Sequence, residues 1–169
     1  MPMTNLICSL CHNTYPFDTR IYQCTCGGLL DLDFQPVFDQ AKIAARKPGM
    51  WRYREALPVI DDACITSFDE GFTPLLPVEI SGRPIWVKQD HLFPSGSYKD
   101  RGASLLISHA REIGVKQVVE DSSGNAGCAV AAYCARAGIG CDIYVPDSTS
   151  PGKLAQIERY GAHLFKIPG

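Results

Sequence analysis

The sequence of 169 residues lacks the features that would place it in several specialised classes of protein. It has no basic excess, since 16 lysines and arginines stand beside 18 acidic residues, and its charge therefore gives no support for nucleic-acid binding. It also has no apolar run of membrane-spanning length, no cationic leader, no internal repeat and no low-complexity tract. With 46% hydrophobic and 20% charged residues, the chain is typical of a globular protein, which we expect to be cytoplasmic, with neither a nucleic-acid nor a membrane partner.

A polar turn at 94–102, Pro-Ser-Gly-Ser-Tyr-Lys-Asp-Arg-Gly, runs directly into a segment with helical periodicity. Its apolar spacing predicts a helix over 98–113 that Ser97 can cap. Lys99 then lies in the first helical turn, where the macrodipole disfavours a cation by about 0.3–1 kcal/mol and should lower the pKa of the amine. A neutral amine is what imine chemistry with an aldehyde cofactor needs, whereas the alternative is a surface lysine paired with Asp100.

A second polar turn, Asp-Ser-Ser-Gly-Asn-Ala-Gly at 121–127, follows a predicted buried strand at 118–120 and begins a predicted helix of small residues at 126–137. The turn is therefore expected at the end of a strand and the N-terminus of a helix. Unpaired backbone N–H groups and the favourable dipole at such a place can bind a carboxylate or a phosphate. Taken alone, the same residues are also compatible with a simple connection.

Four of the eight cysteines are clustered as Cys8-x2-Cys11 and Cys24-x-Cys26, and without a secretion signal this pattern favours a metal over disulfides. Two such knuckles can bring four thiolates around one tetrahedral zinc ion, which we expect to be structural. His12 is an alternative ligand, because the second knuckle is one residue tighter than usual. The other alternative is a set of reduced cysteines in a ribbon that keeps its shape without metal.

Together, the segments Gly96 to Gly102 and Ser122 to Ala126 resemble the cofactor-lysine and substrate-loop motifs of fold-type II pyridoxal-phosphate enzymes, in particular the threonine synthase branch. The lysine motif of that branch reads Gly-Ser-Phe-Lys-Asp-Arg-Gly, and this chain has Tyr98 in place of the phenylalanine. Two upstream segments, Trp-Arg-Tyr-Arg-Glu-Ala-Leu-Pro at 51–58 and Glu-Gly-Phe-Thr-Pro-Leu-Leu at 70–76, are similar to the same branch. The resemblance extends over nearly the whole chain.

The resemblance implies an α/β fold of the tryptophan synthase β-like type, in which the cofactor lies between a large and a small domain. We expect a zinc-ribbon-like module at 1–33, a connecting arm with the first part of the large domain at 34–115, and the first part of the small domain at 116–169. The alternation of strands and helices after residue 115 independently predicts parallel βαβ units. The family's glycine-rich phosphate loop and its hydroxyl residue at the pyridine nitrogen are not found, so we expect a truncated, incomplete fold.

The resemblance also implies pyridoxal 5′-phosphate as the cofactor and a role for individual residues. Lys99 would form the internal aldimine and then act as general acid and base. Asn125 would donate a hydrogen bond to the 3′-oxygen of the cofactor. The carboxylate of a small amino-acid substrate would be bound by four residues of the second turn, which are Ser122, Ser123, Gly124 and Ala126.

The implied reaction is the conversion of O-phospho-L-homoserine and water into L-threonine and phosphate. A threonine or serine dehydratase or a β-replacement enzyme is the first alternative, because this chain has Phe93-Pro94-Ser95 where the branch usually has Asn-Pro-Thr. A noncatalytic fragment or a zinc-ribbon binding module is the second, because the phosphate loop is missing. A homodimer or a complementing second chain is compatible with the family.

Overall fold

The computed structural model describes residues 5–168, apart from the side chain of Lys153, and its strands form three separate sheets. The strands are β1 (Asn5–Cys8), β2 (Thr14–Pro16), β3 (Leu30–Asp33), β4 (Leu75–Ile80), β5 (Arg83–Lys88), β6 (Gln117–Glu120), β7 (Gly140–Pro146) and β8 (His163–Ile167). The helices are α1 (Gln40–Ala45), α2 (Lys99–Glu112), α3 (Asn125–Ala137) and α4 (Pro151–Arg159), with 3₁₀ helices at Met50–Ala56, Asp62–Cys64 and Asp90–Leu92. Within this part of the chain, no helix has the length and apolar character needed to cross a membrane.

The N-terminal sheet is small and antiparallel, in the order β2-β1-β3. It packs against α2 through the ring of Phe17, which stacks on His109 with 4.0 Å between the ring centroids. Arg20 adds a polar contact, since its Nη2 donates hydrogen bonds to the carbonyl oxygens of Ile113 at 2.8 Å and Gly114 at 3.3 Å. Arg20 thereby satisfies carbonyl groups that the C-terminus of α2 would leave unpaired.

The segment Met50–Ala56 forms a compact 3₁₀ helix. The physical reason is Arg54, which is 6% exposed and donates a hydrogen bond to the carboxylate of Asp62 at 2.5 Å. This buried guanidinium draws the chain into a compact turn. Trp51 is half-buried, whereas Tyr53 is 40% exposed and does not pack into the interior.

The parallel sheet β6-β7-β8 alternates with α3 and α4, which confirms the predicted α/β organisation of the C-terminal part. Its core contains Ile143 and Val145 from β7, packed with Tyr133 from α3 and Ile157 from α4. Three of the remaining cysteines are buried in this core, as expected for small apolar side chains, namely Cys128, Cys134 and Cys141.

Helix α2 packs against α3, and both bury a face of small and apolar residues. The observed bounds of α2 differ from the predicted ones by one residue at each end. Ser97 lies one residue before the cap position, and its Oγ accepts a hydrogen bond from the backbone N–H of Lys99 at 3.3 Å. Gly114 follows the helix with φ of 70°, a left-handed conformation that glycine adopts without strain.

The hairpin of β4 and β5 is exposed on both faces, including Trp86 at 67% exposure. The predicted boundaries 1–33, 34–115 and 116–169 stay a prediction. Residues 1–4 and 169, at their outer ends, lie outside the described residues.

Candidate active site and cysteine cluster

Lys99 is the first residue of α2, and its side chain is exposed. Its Nζ lies 5.1 Å from the centroid of the Tyr98 ring. Among the described residues no carboxylate forms a salt bridge with it. The alternative of a surface pair with Asp100 is wrong, because the carboxylate of Asp100 points into the protein and is fully buried. The amine of Lys99 is therefore accessible to a ligand.

Asp100 fixes the turn that precedes Lys99. Its Oδ2 accepts a hydrogen bond from the backbone N–H of Ser95 at 3.0 Å, and its Oδ1 accepts one from the hydroxyl of the same serine. The carbonyl oxygen of Ser95 in turn accepts a hydrogen bond from Nε2 of Gln156 on α4, at 3.0 Å. Burial raises the pKa of Asp100, and the hydrogen bonds from Ser95 offset part of that rise.

Arg101, two residues after the lysine, belongs to a separate polar contact. It donates two hydrogen bonds to Asp90, at 2.5 and 3.1 Å, and Thr73 donates a third to the same carboxylate at 2.7 Å. The hydrogen bond from Arg101 lowers the pKa of Asp90. The ring of Phe93 lies 4.5 Å from the guanidinium carbon and is 4% exposed. Phe93, the residue that departs from the threonine synthase pattern, therefore packs beneath Arg101.

The second turn connects the end of β6 to the start of α3, as predicted, but the prediction that this strand is buried is wrong, since Val119 is 64% exposed. Asn125 is the first residue of α3, and its side chain is exposed. The Oγ of Ser122 accepts a hydrogen bond from the backbone N–H of Gly124 at 3.3 Å. A Cβ added to Gly127 would lie 2.0 Å from the carbonyl oxygen of Ser122, so only glycine allows this loop to lie against the helix. The other predicted substrate residues, Ser123 and Ala126, are half-exposed.

Lys99 begins α2 and Asn125 begins α3, and these two helices pack against one another. Burial, followed by the charge of Asp121, raises the pKa of Glu120, the last residue of β6. The positive charge of Lys99 acts on the pKa of the same carboxyl in the opposite direction. An accessible amine beside a helix N-terminus can hold an aldehyde cofactor and a substrate carboxylate at neighbouring positions.

Two carboxylates that support this arrangement were not identified from the sequence. Asp100 follows the lysine directly, and an acidic residue in the first helical turn is the signal that could have indicated it. Glu70 is 2% exposed and accepts hydrogen bonds from Trp51 and from Tyr133 of α3. It lies in the Glu-Gly-Phe-Thr-Pro segment, but nothing in its sequence context indicates that it is buried.

The four predicted metal ligands, Cys8, Cys11, Cys24 and Cys26, form one cluster in which all Sγ atoms lie within 4.8 Å of one another. The shortest separations, Cys8 to Cys26 and Cys11 to Cys24, are both 3.5 Å. Tetrahedral zinc with bonds of about 2.3 Å to sulfur places its ligands about 3.8 Å apart, so these separations fit the ion. The alternative ligand His12 is exposed and is not part of the group.

The thiols of the cluster are not equivalent. The backbone N–H of Cys26 and the hydroxyl of Tyr15, 3.0 Å away, lower the pKa of Cys24 to about 6. The pKa of Cys11 is raised to about 12, because the neighbouring thiols Cys26 and Cys24 outweigh the backbone N–H of Asn13. Adjacent thiolates repel one another, and a divalent cation between them would remove that repulsion.

Comparison with known proteins gives consistent results. Residues 66–169 match the family model described as pyridoxal-phosphate dependent enzyme. The chain is 40% identical to a threonine synthase of Methanocaldococcus jannaschii over 96% of its own length and 43% of the relative. A threonine synthase of Methanosarcina acetivorans is 35% identical over 99% of this chain and 43% of the relative. The chain thus spans less than half the length of these relatives.

Solved structures with a similar backbone carry several different activities in their names. One is O-ureido-L-serine synthase, with a TM-score of 0.56 and 28% identity, covering 66% of this chain and 37% of that one. Another is a pyridoxal 5′-phosphate-dependent aspartate racemase, with a TM-score of 0.51 and 34% identity, covering 57% of this chain and 32% of that one.

Proposed function

The chain belongs to the family of pyridoxal-phosphate dependent enzymes, and we propose that it is the N-terminal part of a threonine synthase-like lyase. The accessible amine of Lys99 carries this proposal, because it begins α2, and α2 packs against α3, the helix that follows the Ser-Ser-Gly-Asn turn. The relatives named threonine synthase support the choice within the family. We expect O-phospho-L-homoserine and water as substrates, with L-threonine and phosphate as products.

The residues present fit the aldehyde end of pyridoxal phosphate. Lys99 would hold the cofactor covalently, and the side chain of Asn125, exposed at the start of α3, would donate a hydrogen bond to its 3′-oxygen. When bound, the cofactor supplies an electron sink for elimination at an amino-acid substrate. The glycine-rich loop that would hold the cofactor phosphate is not found among these 169 residues.

The chain's own residues would bind the substrate and move its proton. Backbone N–H groups and hydroxyls of the second turn would hold the substrate carboxylate, in part through the positive end of the α3 dipole. This role falls to Ser122, Ser123, Gly124 and Ala126. The amine of Lys99 would accept the proton from the substrate Cα and later return it.

Another fold-type II reaction is the second candidate, and the similarity to O-ureido-L-serine synthase favours it. Such an enzyme would act on serine or threonine derivatives as a dehydratase or by β-replacement. A noncatalytic fragment or binding module is the third, motivated by the missing phosphate loop. We expect the chain to bind a small amino acid as its substrate. We expect it to assemble as a homodimer or with a complementing chain.

We also propose that the four clustered cysteines bind a structural zinc ion. The support is the mutual distance of their sulfur atoms, which suits a closed tetrahedral site without a free position for a substrate. All eight cysteines lie in the part of the chain that the structure describes, and none of them forms a disulfide there.

Exchange of the substrate Cα proton tests the proposed chemistry without requiring full turnover. The purified chain is incubated in D₂O with pyridoxal phosphate and either O-phospho-L-homoserine, L-threonine or L-serine, and loss of the Cα signal is followed by proton NMR. We expect O-phospho-L-homoserine to exchange fastest, and Lys99→Ala to exchange no faster than free cofactor. Faster exchange of threonine or serine would favour the second candidate, and no exchange above Lys99→Ala would favour the third.

A further inference from the structure

The carboxylate of Glu70 accepts hydrogen bonds from several separate segments of the chain. Its Oε1 accepts a hydrogen bond from Nε1 of Trp51 at 2.9 Å. Its Oε2 accepts three more, from Oγ of Ser67 at 3.0 Å, from the backbone N–H of Phe68 at 2.9 Å and from the hydroxyl of Tyr133 at 2.8 Å. No salt bridge to Glu70 is found among residues 5–168, so neutral donors alone stabilise this buried group.

These donors connect the two helices that carry the candidate site. Tyr133 belongs to α3, and burial and the charge of Glu70 raise the pKa of its phenol, which therefore stays a hydrogen-bond donor. Trp51 reaches α2, because its Nε1 also lies 2.9 Å from Oγ of Ser104. With a helical rise of about 1.5 Å per residue, Ser104 lies about 8 Å from Lys99 along α2, and Tyr133 lies about 12 Å from Asn125 along α3.

We propose that Glu70 is a positioning residue of the candidate active site, an inference that rests on the proposed function. It contacts neither Lys99 nor Asn125, and it acts by holding α3 and the Trp51 segment at one place against α2. The start of α3, with its substrate-binding turn, is thereby fixed relative to the cofactor lysine.

The carboxylate is needed because it accepts hydrogen bonds only. Glu70→Gln keeps one oxygen that can accept hydrogen bonds and replaces the other with an NH₂ group, which can only donate. Whichever oxygen is replaced, the NH₂ group then faces at least one hydrogen-bond donor. At least one buried donor then loses its partner, so that the contact to Trp51 or to Tyr133 and its neighbours is weakened. Tyr133→Phe is a milder change, because it removes one of the donors and leaves the others bound.

A merely stabilising role must be separated from a positioning one, and Ser108→Ala is the matched control. Ser108 is fully buried on α2, accepts a hydrogen bond from the backbone N–H of Thr66 at 2.8 Å and donates one to the carbonyl oxygen of Ser104 at 2.7 Å. Its removal disturbs the same interior without touching Glu70. Loss of stability alone should therefore affect both variants in the same way.

The measurement is the concentration of pyridoxal phosphate at which borohydride traps half of the Lys99 side chains, read by peptide mapping, with unfolding temperatures recorded in parallel. Relative to the wild type, we expect an increase of about tenfold for Glu70→Gln, about threefold for Tyr133→Phe and less than about twofold for Ser108→Ala. Trapping at other lysines should rise in Glu70→Gln, because its site is less well ordered.

Equal shifts in Glu70→Gln and Ser108→Ala, at equal loss of unfolding temperature, would overturn the inference and leave the proposed function intact. If Glu70→Gln does not fold, Tyr133→Phe decides: a shift no larger than that of Ser108→Ala overturns the inference. Scattered labelling in the wild type would overturn the proposed function, and this inference with it, before any variant is compared.

Discussion

Asp100, next to the candidate cofactor lysine, is a buried carboxyl group that forms no salt bridge among the described residues. The hydrogen bonds from Ser95 are what stabilises it. Ser95 also accepts a hydrogen bond from Gln156. The conformation of the turn before Lys99 therefore depends on the buried contact between Asp100 and Ser95. The residue that determines where the lysine lies is therefore its neighbour in the sequence.

Substitution of Asp100 should separate the hydrogen bonds from the charge. Asp100→Ala leaves the backbone N–H of Ser95 buried without a partner and should reduce the free energy of unfolding by about 1–3 kcal/mol. Asp100→Asn keeps an acceptor for that N–H and should cost less. Denaturant unfolding of both variants measures the difference, and an Asn variant as unstable as the Ala variant would show that the charge itself is required.

At this scale the sequence predicted candidate reactive groups, which stay a prediction, but not the buried carboxylates near them. Lys99 and the four clustered cysteines were identifiable because their residue types and spacing indicate chemistry directly. Asp100 and Glu70 were not, because a carboxylate in the sequence gives no sign that it will be buried among neutral donors. Burial depends on contacts between segments far apart in the chain, such as Glu70 with Tyr133.

Among the secondary-structure elements, the bounds of α2, β6 and α3 were predicted to within one residue, since each has a regular pattern bounded by turn residues. The 3₁₀ helix Met50–Ala56 was not predicted, because it has no such periodicity and depends on the tertiary contact of Arg54 with Asp62. Elements whose residues have a periodic apolar pattern could be predicted from the sequence. The 3₁₀ helix that depends on the buried Arg54 could not.

Two glycines within helices should respond to alanine in opposite directions. Gly127→Ala places a methyl group against the carbonyl oxygen of Ser122 and should destabilise the chain by about 1–3 kcal/mol, because backbone must move. Gly102→Ala in α2 meets no atom within 4 Å and should stabilise it by up to about 1 kcal/mol through helix propensity. Both are measured by denaturant unfolding. Similar values for the two variants would contradict the close approach of the second turn to α3.

The attachment of α1 to the 3₁₀ helix Met50–Ala56 should depend on pH. Hydrogen bonds from Arg46, at 2.6 and 2.7 Å, lower the pKa of Glu55 from 4.5 to about 2. A folded-state pKa below the unfolded value contributes stability above the unfolded pKa, and this contribution is lost as the pH falls through the folded one. The stability difference between wild type and Glu55→Gln should therefore shrink between pH 4.5 and about 2. A constant difference over that range would contradict the ion pair.

For the molecule as a whole, the cysteine cluster and the α/β part should be linked, because Phe17 and Arg20 join the N-terminal sheet to α2. We expect one zinc ion per chain by elemental analysis and a lower unfolding temperature after chelation. Cys24→Ser should lose the metal, whereas Cys64→Ser, outside the cluster, should retain it. Metal content that is equal in both variants would contradict a zinc site at these cysteines.

The central claim is that this chain folds so that the amine of Lys99, and no other lysine, reacts with the aldehyde of the cofactor. The most direct test is borohydride trapping with pyridoxal phosphate, followed by intact mass and peptide mapping, on the wild type and Lys99→Ala. Labelling of one site per chain, confined to Lys99 and lost in the variant, is the result that we predict. Labelling scattered over several lysines and retained in Lys99→Ala would contradict the claim and leave the family membership without a working site.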